Sequence, residues 1–155
     1  MLLSMEDVKK INAILEHYGG KIDLSTHIPN EEYESRYKKV WEKMEELGID
    51  VGFFFWSREM PGDGVYLTGY NPTLERASGV IAPGKRPALM VGPESGLLAA
   101  ETGLNLETHF VDAFTLPGEY YEGVTIERLT DSVQKYVGKE IRTIGSLTAQ
   151  DVIPC

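Results

Sequence analysis

Six consecutive uncharged residues, Val51-Gly52-Phe53-Phe54-Phe55-Trp56, limit the fold of this chain more than any other stretch. The run holds no proline, and its branched and aromatic side chains suit a pleated backbone. Strand side chains alternate between faces, so a run that is apolar throughout needs cover on both sides. That predicts an internal strand of an α/β sheet. Downstream, 79–82 and 87–91 are two further apolar runs, joined by Pro83-Gly84-Lys85-Arg86. Proline presets φ and glycine accepts φ > 0, so 79–91 reads as a β-hairpin and brings an antiparallel pair into the sheet. The stretch between, 57–65, is rich in Gly, Pro and charge and reads as a long loop. It leads into Tyr66-Leu67-Thr68-Gly69-Tyr70.

Helices flank these strands. Ser4-Met5-Glu6-Asp7 has capping-box spacing, and Val8, Ile11, Leu15 and Tyr18 recur at helical intervals until Gly19-Gly20, with Lys21 to Pro29 as a connector. Asn30 is the expected cap of a second helix, with Glu31 and Glu32 in its first turn. Tyr33, Tyr37, Val40, Trp41, Met44 and Leu47 form its apolar stripe, Glu34 with Lys38 gives an i,i+4 pair, and Gly48 suits the stop. Gly92-Pro93-Glu94 opens a short helix carrying Leu97, Leu98 and Glu101, which Gly103 ends. A weak strand is expected at 108–111 and a long loop at 112–123. Ile126, Leu129, Val133, Tyr136 and Val137 mark a helix stopped by Gly138, and 141–144 is the expected last strand. This alternation predicts a three-layer α/β domain around a mixed sheet.

At 155 residues the chain is long enough for one domain that buries about two thirds of its unfolded surface. Its 24 acidic against 15 basic residues give a formal net charge of −9, which argues against nucleic acid as a partner. One cysteine, Cys155, makes no internal disulfide and fits a reducing compartment. MLLSMEDVKK lacks the basic and apolar regions of a signal peptide, and no apolar run reaches the length of a membrane span. The expectation is a soluble cytoplasmic protein.

Catalytic signals are sparse. His17, His27 and His109 are scattered without metal-ligand spacing, and read as a helix-surface, a loop and a strand-edge residue. There is no G-x-S-x-G, no dinucleotide or phosphate-loop motif, and Gly62-Asp63-Gly64 reads as loop rather than the start of a helix. Asp50, Asp63, Glu75 and Asp112 are the acids that a two-metal nuclease would need to cluster, a reading that the acidic balance opposes.

The order of pieces carries a resemblance. Gly-Ile-Asp, an apolar strand, Tyr-Leu-Thr-Gly-Tyr, Glu75-Arg76, a strand, a Gly-Lys turn, a strand and Gly-Pro-Glu resembles the N-terminal domain of the creatinase/prolidase family over residues 31 to 145. That family includes Xaa-Pro aminopeptidases, prolidases and creatinase. The resemblance implies a ribonuclease-H-like fold and places the parts as follows: 1–29 an N-terminal extension and connector, 30–146 the domain, and 147–155 the start of a link to a C-terminal catalytic domain. It implies that two divalent ions (Mn, Co or Zn) are held by two Asp, one His and two Glu of that other domain. No catalytic or metal-binding residue is expected in this chain, which alone is expected to be inactive.

What remains for this domain, by the same resemblance, is assembly as a homodimer and shaping of the entrance to a pocket for a peptide or small-molecule substrate. Trp56, Ser57, Arg58, Glu59, Met60, Tyr66, Tyr70, Glu75 and Arg76 concentrate aromatic and charged groups beside a rigid strand, where binding residues tend to sit. Arg58 and Arg76 are candidates for meeting a carboxylate, since guanidinium binds it bidentately. Trp56, Tyr66 and Tyr70 are the candidate walls, with Glu75 beside them. A second reading is a stand-alone ligand-binding or assembly module of the same fold, and a third is a small independent enzyme. The residues do not separate aminopeptidase, dipeptidase and amidinohydrolase.

Overall fold

A computed structural model describes residues 4–19, 27–73 and 75–148. The expected stop at Gly20, the connector at 21–26 and the terminal link 149–155 with Cys155 lie outside the described residues. Among those described, five strands form one mixed sheet in the order β4-β3-β2-β1-β5. They are β1 Val51–Trp56, β2 Ala77–Ile81, β3 Ala88–Val91, β4 Glu107–Phe110 and β5 Ile144–Ser146. The strand β2 runs antiparallel to β1 and β3, while β1 pairs parallel with β5 and β3 with β4. Four strands therefore point one way and β2 points back.

Period-2 alternation divides β1 between two cores, as its unbroken apolar run requires. Phe54 and Trp56 join Ala77, Ile81, Leu89 and Val91 on one face, under α2 (Asn30–Leu47) with its buried Tyr33, Tyr37 and Met44. Val51 and Phe53 join Val80, Ala88 and Met90 on the other, under Tyr136 and Val137 of α5 (Leu129–Val137). The expected three layers are thus present. Both helices are also tied to the hairpin turn. The Trp41 indole N–H donates to the Lys85 carbonyl at 3.0 Å. From the opposite face the Tyr136 hydroxyl donates to the Arg86 carbonyl at 2.7 Å, and the Lys85 ammonium donates to the Tyr136 carbonyl at 2.6 Å.

Helix ends follow the sequence in part. Gly48 closes α2 with φ of 65°, and the Ile49 N–H reaches back to the Met44 carbonyl at 2.9 Å. Ser4 and Asp7 exchange the capping-box hydrogen bonds that open α1 (Met5–Gly19). No residue of α1 is buried, and Ile11, Leu15 and Tyr18 stand exposed. Asn30 does not cap α2: it is the first helical residue, and Pro29 occupies the cap position with extended backbone. Glu34 does not pair with Lys38 either; its carboxylate accepts from the Arg86 side chain at 2.6 Å, fastening α2 to the hairpin.

Three expectations about elements need correction. The stretch read as a loop through Gly62-Asp63-Gly64 contains helix α3, Gly62–Thr68. Two glycines in seven residues oppose a helix, yet Gly64 is the residue that lets α3 lie against Trp56. A Cβ there would sit 1.9 Å from the indole ring. Packing overrides propensity. The last strand begins at Ile144, not Ile141, because the Asp50 carboxylate takes the N–H groups of Arg142 and Thr143 at 2.9 and 3.0 Å and delays the ladder. Ile126 precedes α5, which starts at Leu129. Smaller differences concern β4, which covers Glu107–Phe110, and the expected short helix, which is a 3₁₀ turn at Pro93–Ser95 followed by α4, Gly96–Ala100.

Candidate functional site

The carboxyl ends of parallel strands are where α/β sheets open crevices, because the chain leaves the sheet there in divergent directions. Here β1, β3 and β4 all end on one edge of the sheet, and that edge carries a cleft of about 640 Å³. Ser57, Arg58 and Glu59 enter it directly after β1, and Ala113 to Leu116 form the far wall shortly after β4. Thr73, Glu75 and Arg76 line it as the chain enters β2.

Local chemistry fixes each side. Ser57 and Met60 exchange backbone hydrogen bonds at 3.4 and 3.2 Å, a tight turn that holds Arg58 and Glu59 at the rim. On the far wall the Phe114 ring packs against Phe55 at 6.3 Å between centroids, and the Thr115 hydroxyl donates to the Asp112 carbonyl. Gly92 separates that wall from β3. A side chain there would meet the Phe114 carbonyl oxygen at 2.3 Å and the Glu94 carboxylate at 2.6 Å.

The floor is a relay from the core to Glu75. The buried Trp56 N–H donates to the Tyr70 carbonyl at 3.0 Å. The Tyr70 hydroxyl donates to Ser95 Oγ at 2.6 Å, and Ser95 donates in turn to Glu75 Oε1. The second oxygens of Glu75 and Glu94 are buried with no hydrogen-bond partner. Burial raises the Glu75 carboxyl above its ordinary value, the neighbouring Glu94 charge adds to this, and the Ser95 hydrogen bond opposes it. Glu59 is shifted the other way. Its own backbone N–H, then Ser57, then the Arg58 and Arg76 charges hold it below the ordinary carboxylate value. The cleft therefore combines two guanidinium side chains and an ionised carboxylate with a floor carboxyl that is reluctant to ionise.

Among the sequence candidates, Arg58, Glu75 and Arg76 come together in this cleft. Trp56 and Tyr70 are not walls: they are 0% and 2% exposed, part of the core beneath the floor. Trp56 shares strand parity with Phe54 and so points into the same core, stacked on it at 5.4 Å. Tyr66 lies elsewhere. Its ring covers the Arg36 guanidinium at 4.4 Å, and Arg36 also donates to its carbonyl at 2.8 Å, beside a separate groove under α2. Thr73, Ser95 and 113–116 were not expected at the site. The signal available for Ser95 was its place just after a strand, at the start of a helical turn. His109 lies on the edge strand β4, as expected, and is buried between Glu107 and Glu127.

The cleft offers two guanidinium groups, the Glu59 carboxylate and the Ser95–Glu75 pair at its floor. Among the described residues no group of three or more His, Cys, Asp and Glu side chains is placed to hold a metal ion. These residues do not fit a divalent-metal centre. Nor is any helix among them long and apolar enough to cross a membrane.

No family model matches the chain, and no curated protein matches its sequence. Solved structures do. The N-terminal domain of Xaa-Pro dipeptidase from Lactobacillus brevis is 12% identical and superposes with a TM-score of 0.53 over 75% of this chain and 81% of that one. Xaa-Pro dipeptidase from Bacillus anthracis, 16% identical, gives 0.49 over 79% of this chain but only 28% of that one. A creatinase/prolidase-like N-terminal domain from Corynebacterium diphtheriae gives 0.46 at 12% identity, covering 76% and 95% of the two chains. The chain thus has the mixed α/β fold of an Xaa-Pro dipeptidase N-terminal domain, and its match covers under a third of the Bacillus anthracis chain.

Proposed function

We propose that this chain is the non-catalytic N-terminal domain of a cytoplasmic metal-dependent Xaa-Pro peptidase or creatinase-like hydrolase. Its task is to shape the entrance of the substrate pocket beside a C-terminal catalytic domain, within a homodimer. The observation that carries the reading is the cleft at the carboxyl ends of β1, β3 and β4, lined by Arg58, Glu59, Glu75 and Arg76 on a fold shared with an Xaa-Pro dipeptidase domain. The guanidinium groups are suited to a substrate carboxylate or backbone carbonyl. In this reading the divalent ions of such an enzyme are held by the C-terminal catalytic domain.

The test takes the purified chain and Xaa-Pro dipeptides. With Mn²⁺, Co²⁺ or Zn²⁺ added, the chain is expected to cleave nothing above an inert control. Titration of the same dipeptides is expected to shift the backbone NMR resonances of Arg58, Glu59 and Arg76, and Arg76→Ala is expected to weaken that shift. Metal-dependent cleavage would overturn the non-catalytic role. Resonances that stay fixed at millimolar dipeptide would overturn the assignment of the cleft.

A further inference from the structure

Helix α1 is amphipathic, yet no residue of it is buried. Val8, Ile11 and Leu15 recur at the alternating three- and four-residue spacing that lines one side of a helix, with Met5 and Ile14 beside them. Met5, Ile11, Ile14 and Leu15 are all exposed. Side chains this bare present on the order of 400 Å² of apolar surface, as much as the largest patch on a typical monomer. Asp7 lies in one row with Ile11 and Ile14, at i, i+4 and i+7, and Glu16 borders the stripe on its other side. Lys9 and Lys10 lie behind it, and Lys10 pairs with Glu6 at 2.8 Å. The stripe is therefore apolar with acidic borders.

The groove beside α2, of about 230 Å³, has the complementary character. Val40, Met44 and Leu47 give it an apolar floor, and Arg36, Lys39 and Lys43 rim it, in a chain whose net charge is −9. Leu47 is 58% exposed, although it belongs to the apolar stripe of α2. Arg36 and Lys43 pair with Glu32 and Glu46 of α2 itself, while Lys39 makes no ion pair among the described residues. The dimensions match as well. Arg36 to Leu47 covers about 17 Å of α2, and Met5 to Leu15 about 15 Å of α1.

We propose that α1 of one copy docks into the α2 groove of a second copy, so that two copies exchange α1 reciprocally. Each copy offers one stripe and one groove, and a two-fold axis closes the pair. The stripe covers Val40, Met44 and Leu47, and its acidic borders face the basic rim. With each groove matching its stripe, the exchange covers about 1,600 Å², the size of a standard interface. Residues 20–29, which join α1 to α2, can reach up to about 33 Å, a tether long enough for α1 to sit on a neighbour. The contact rests on the homodimer of the reading above and shares no residue with the cleft, so the two are tested apart.

Sedimentation of the intact chain, from micromolar to millimolar concentration, measures the association. The chain is expected to pass from monomer to dimer. Leu15→Asp on α1 and Leu47→Asp in the groove should each weaken the dimer by about tenfold or more, because each puts a charge into an apolar contact. Both side chains are exposed in the single chain, so both variants should keep their fold, which far-UV circular dichroism checks. Lys39→Glu leaves the floor intact and should weaken the dimer about fivefold. Mixing the two leucine variants separates exchange from other pairings. The groove variant still offers α1 and the α1 variant still offers a groove, so a mixed dimer should form more tightly than either variant pairs with itself. A chain that stays monomeric throughout would overturn this contact and the homodimer together. A dimer unmoved by both leucine variants would keep the homodimer and overturn the contact. Loss in Leu15→Asp alone, with no gain on mixing, would show α1 pairing with itself and overturn the exchange.

Discussion

Gly64→Ala sets two effects against each other within one helix, and the structure decides which wins. In an exposed helix, replacing glycine by alanine is favourable by about 1 kcal/mol, since alanine has less backbone entropy to lose. At Gly64 the added methyl would lie 1.9 Å from Trp56 Cδ2, with two further ring atoms at 2.2 and 2.3 Å. Relief requires the ring or the helix to shift by roughly 1.5 Å to regain van der Waals contact. The ring has little freedom to shift. Trp56 is fully buried, stacked on Phe54, edge-on to Tyr70 at 6.2 Å, and held by its N–H on the Tyr70 carbonyl. Overpacking of a close-packed site costs about 1–3 kcal/mol, and a displacement of this size belongs at the upper end. The net expectation is a loss of about 2 kcal/mol. Gly62 is the internal control. It opens the same helix with nothing within 4 Å of an added Cβ, so Gly62→Ala should be neutral or stabilising by up to about 1 kcal/mol. Urea unfolding followed by far-UV circular dichroism measures both. A Gly64→Ala variant as stable as Gly62→Ala, within about 0.5 kcal/mol, would refute the packing of α3 on Trp56. So would a penalty that stays the same size in a Trp56→Leu background, because two residues in contact must couple.

Three shorter predictions address the sheet and the cleft. Phe54→Ala removes a ring that is 0% exposed and covers Gly79, and should cost about 3–5 kcal/mol; a denaturation midpoint near wild type would show that β1 is not internal. Arg76→Ala should leave stability within about 1 kcal/mol, as expected for a side chain lining an open cleft, while weakening any dipeptide response; a large loss of stability with the response intact would make Arg76 structural. Because the Glu75 carboxyl is raised above 4.5, the folded state binds that proton more tightly than the unfolded chain, so its contribution is most favourable below about 4.5 and declines as pH rises through the folded value. Glu75→Gln should flatten that decline and leave stability at neutral pH unchanged or higher, since the amide oxygen still accepts from Ser95; a loss above about 1 kcal/mol at neutral pH would contradict it.

The strands and most helices were legible where one signal decided them. The run from Val51 to Trp56 demanded two-sided cover, and both cores are there. Gly48 and Gly138 stop their helices in the left-handed conformation that glycine allows. The misreadings arose where long-range contact outweighed local preference. Helix α3 is hidden by Gly62 and Gly64, residues that argue against a helix until Trp56 is known to lie against it. The start of β5 is set by a carboxylate 92 positions away, Asp50 on the Arg142 amide. In the site, Arg58, Glu75 and Arg76 could be picked as charged residues beside a strand end. Trp56 and Tyr70 could not serve as walls, and parity with Phe54 already placed Trp56 in a core. The 113–116 wall depends on a loop returning to Glu127, whose N–H donates to the Phe110 carbonyl, and no spacing in the sequence announces that.

The two aromatic residues that are absent from the cleft's surface still govern its chemistry. Hydrogen bonds run from the Trp56 N–H to the Tyr70 carbonyl, from the Tyr70 hydroxyl to Ser95, and from Ser95 to Glu75. Each donor is held by packing, so the Glu75 carboxyl is oriented by the core and not by other groups of the cleft. Orientation of this kind also buries the second Glu75 oxygen, in keeping with the burial that raises the carboxyl above its ordinary value. The same line of contacts joins stability to the site. A methyl group at Gly64 displaces Trp56, the displacement reaches Tyr70 through their shared hydrogen bond, and Ser95 and Glu75 follow. Gly64→Ala should therefore disturb the Glu75 and Ser95 resonances more than those of Arg86, which lies at the opposite end of β2 and β3.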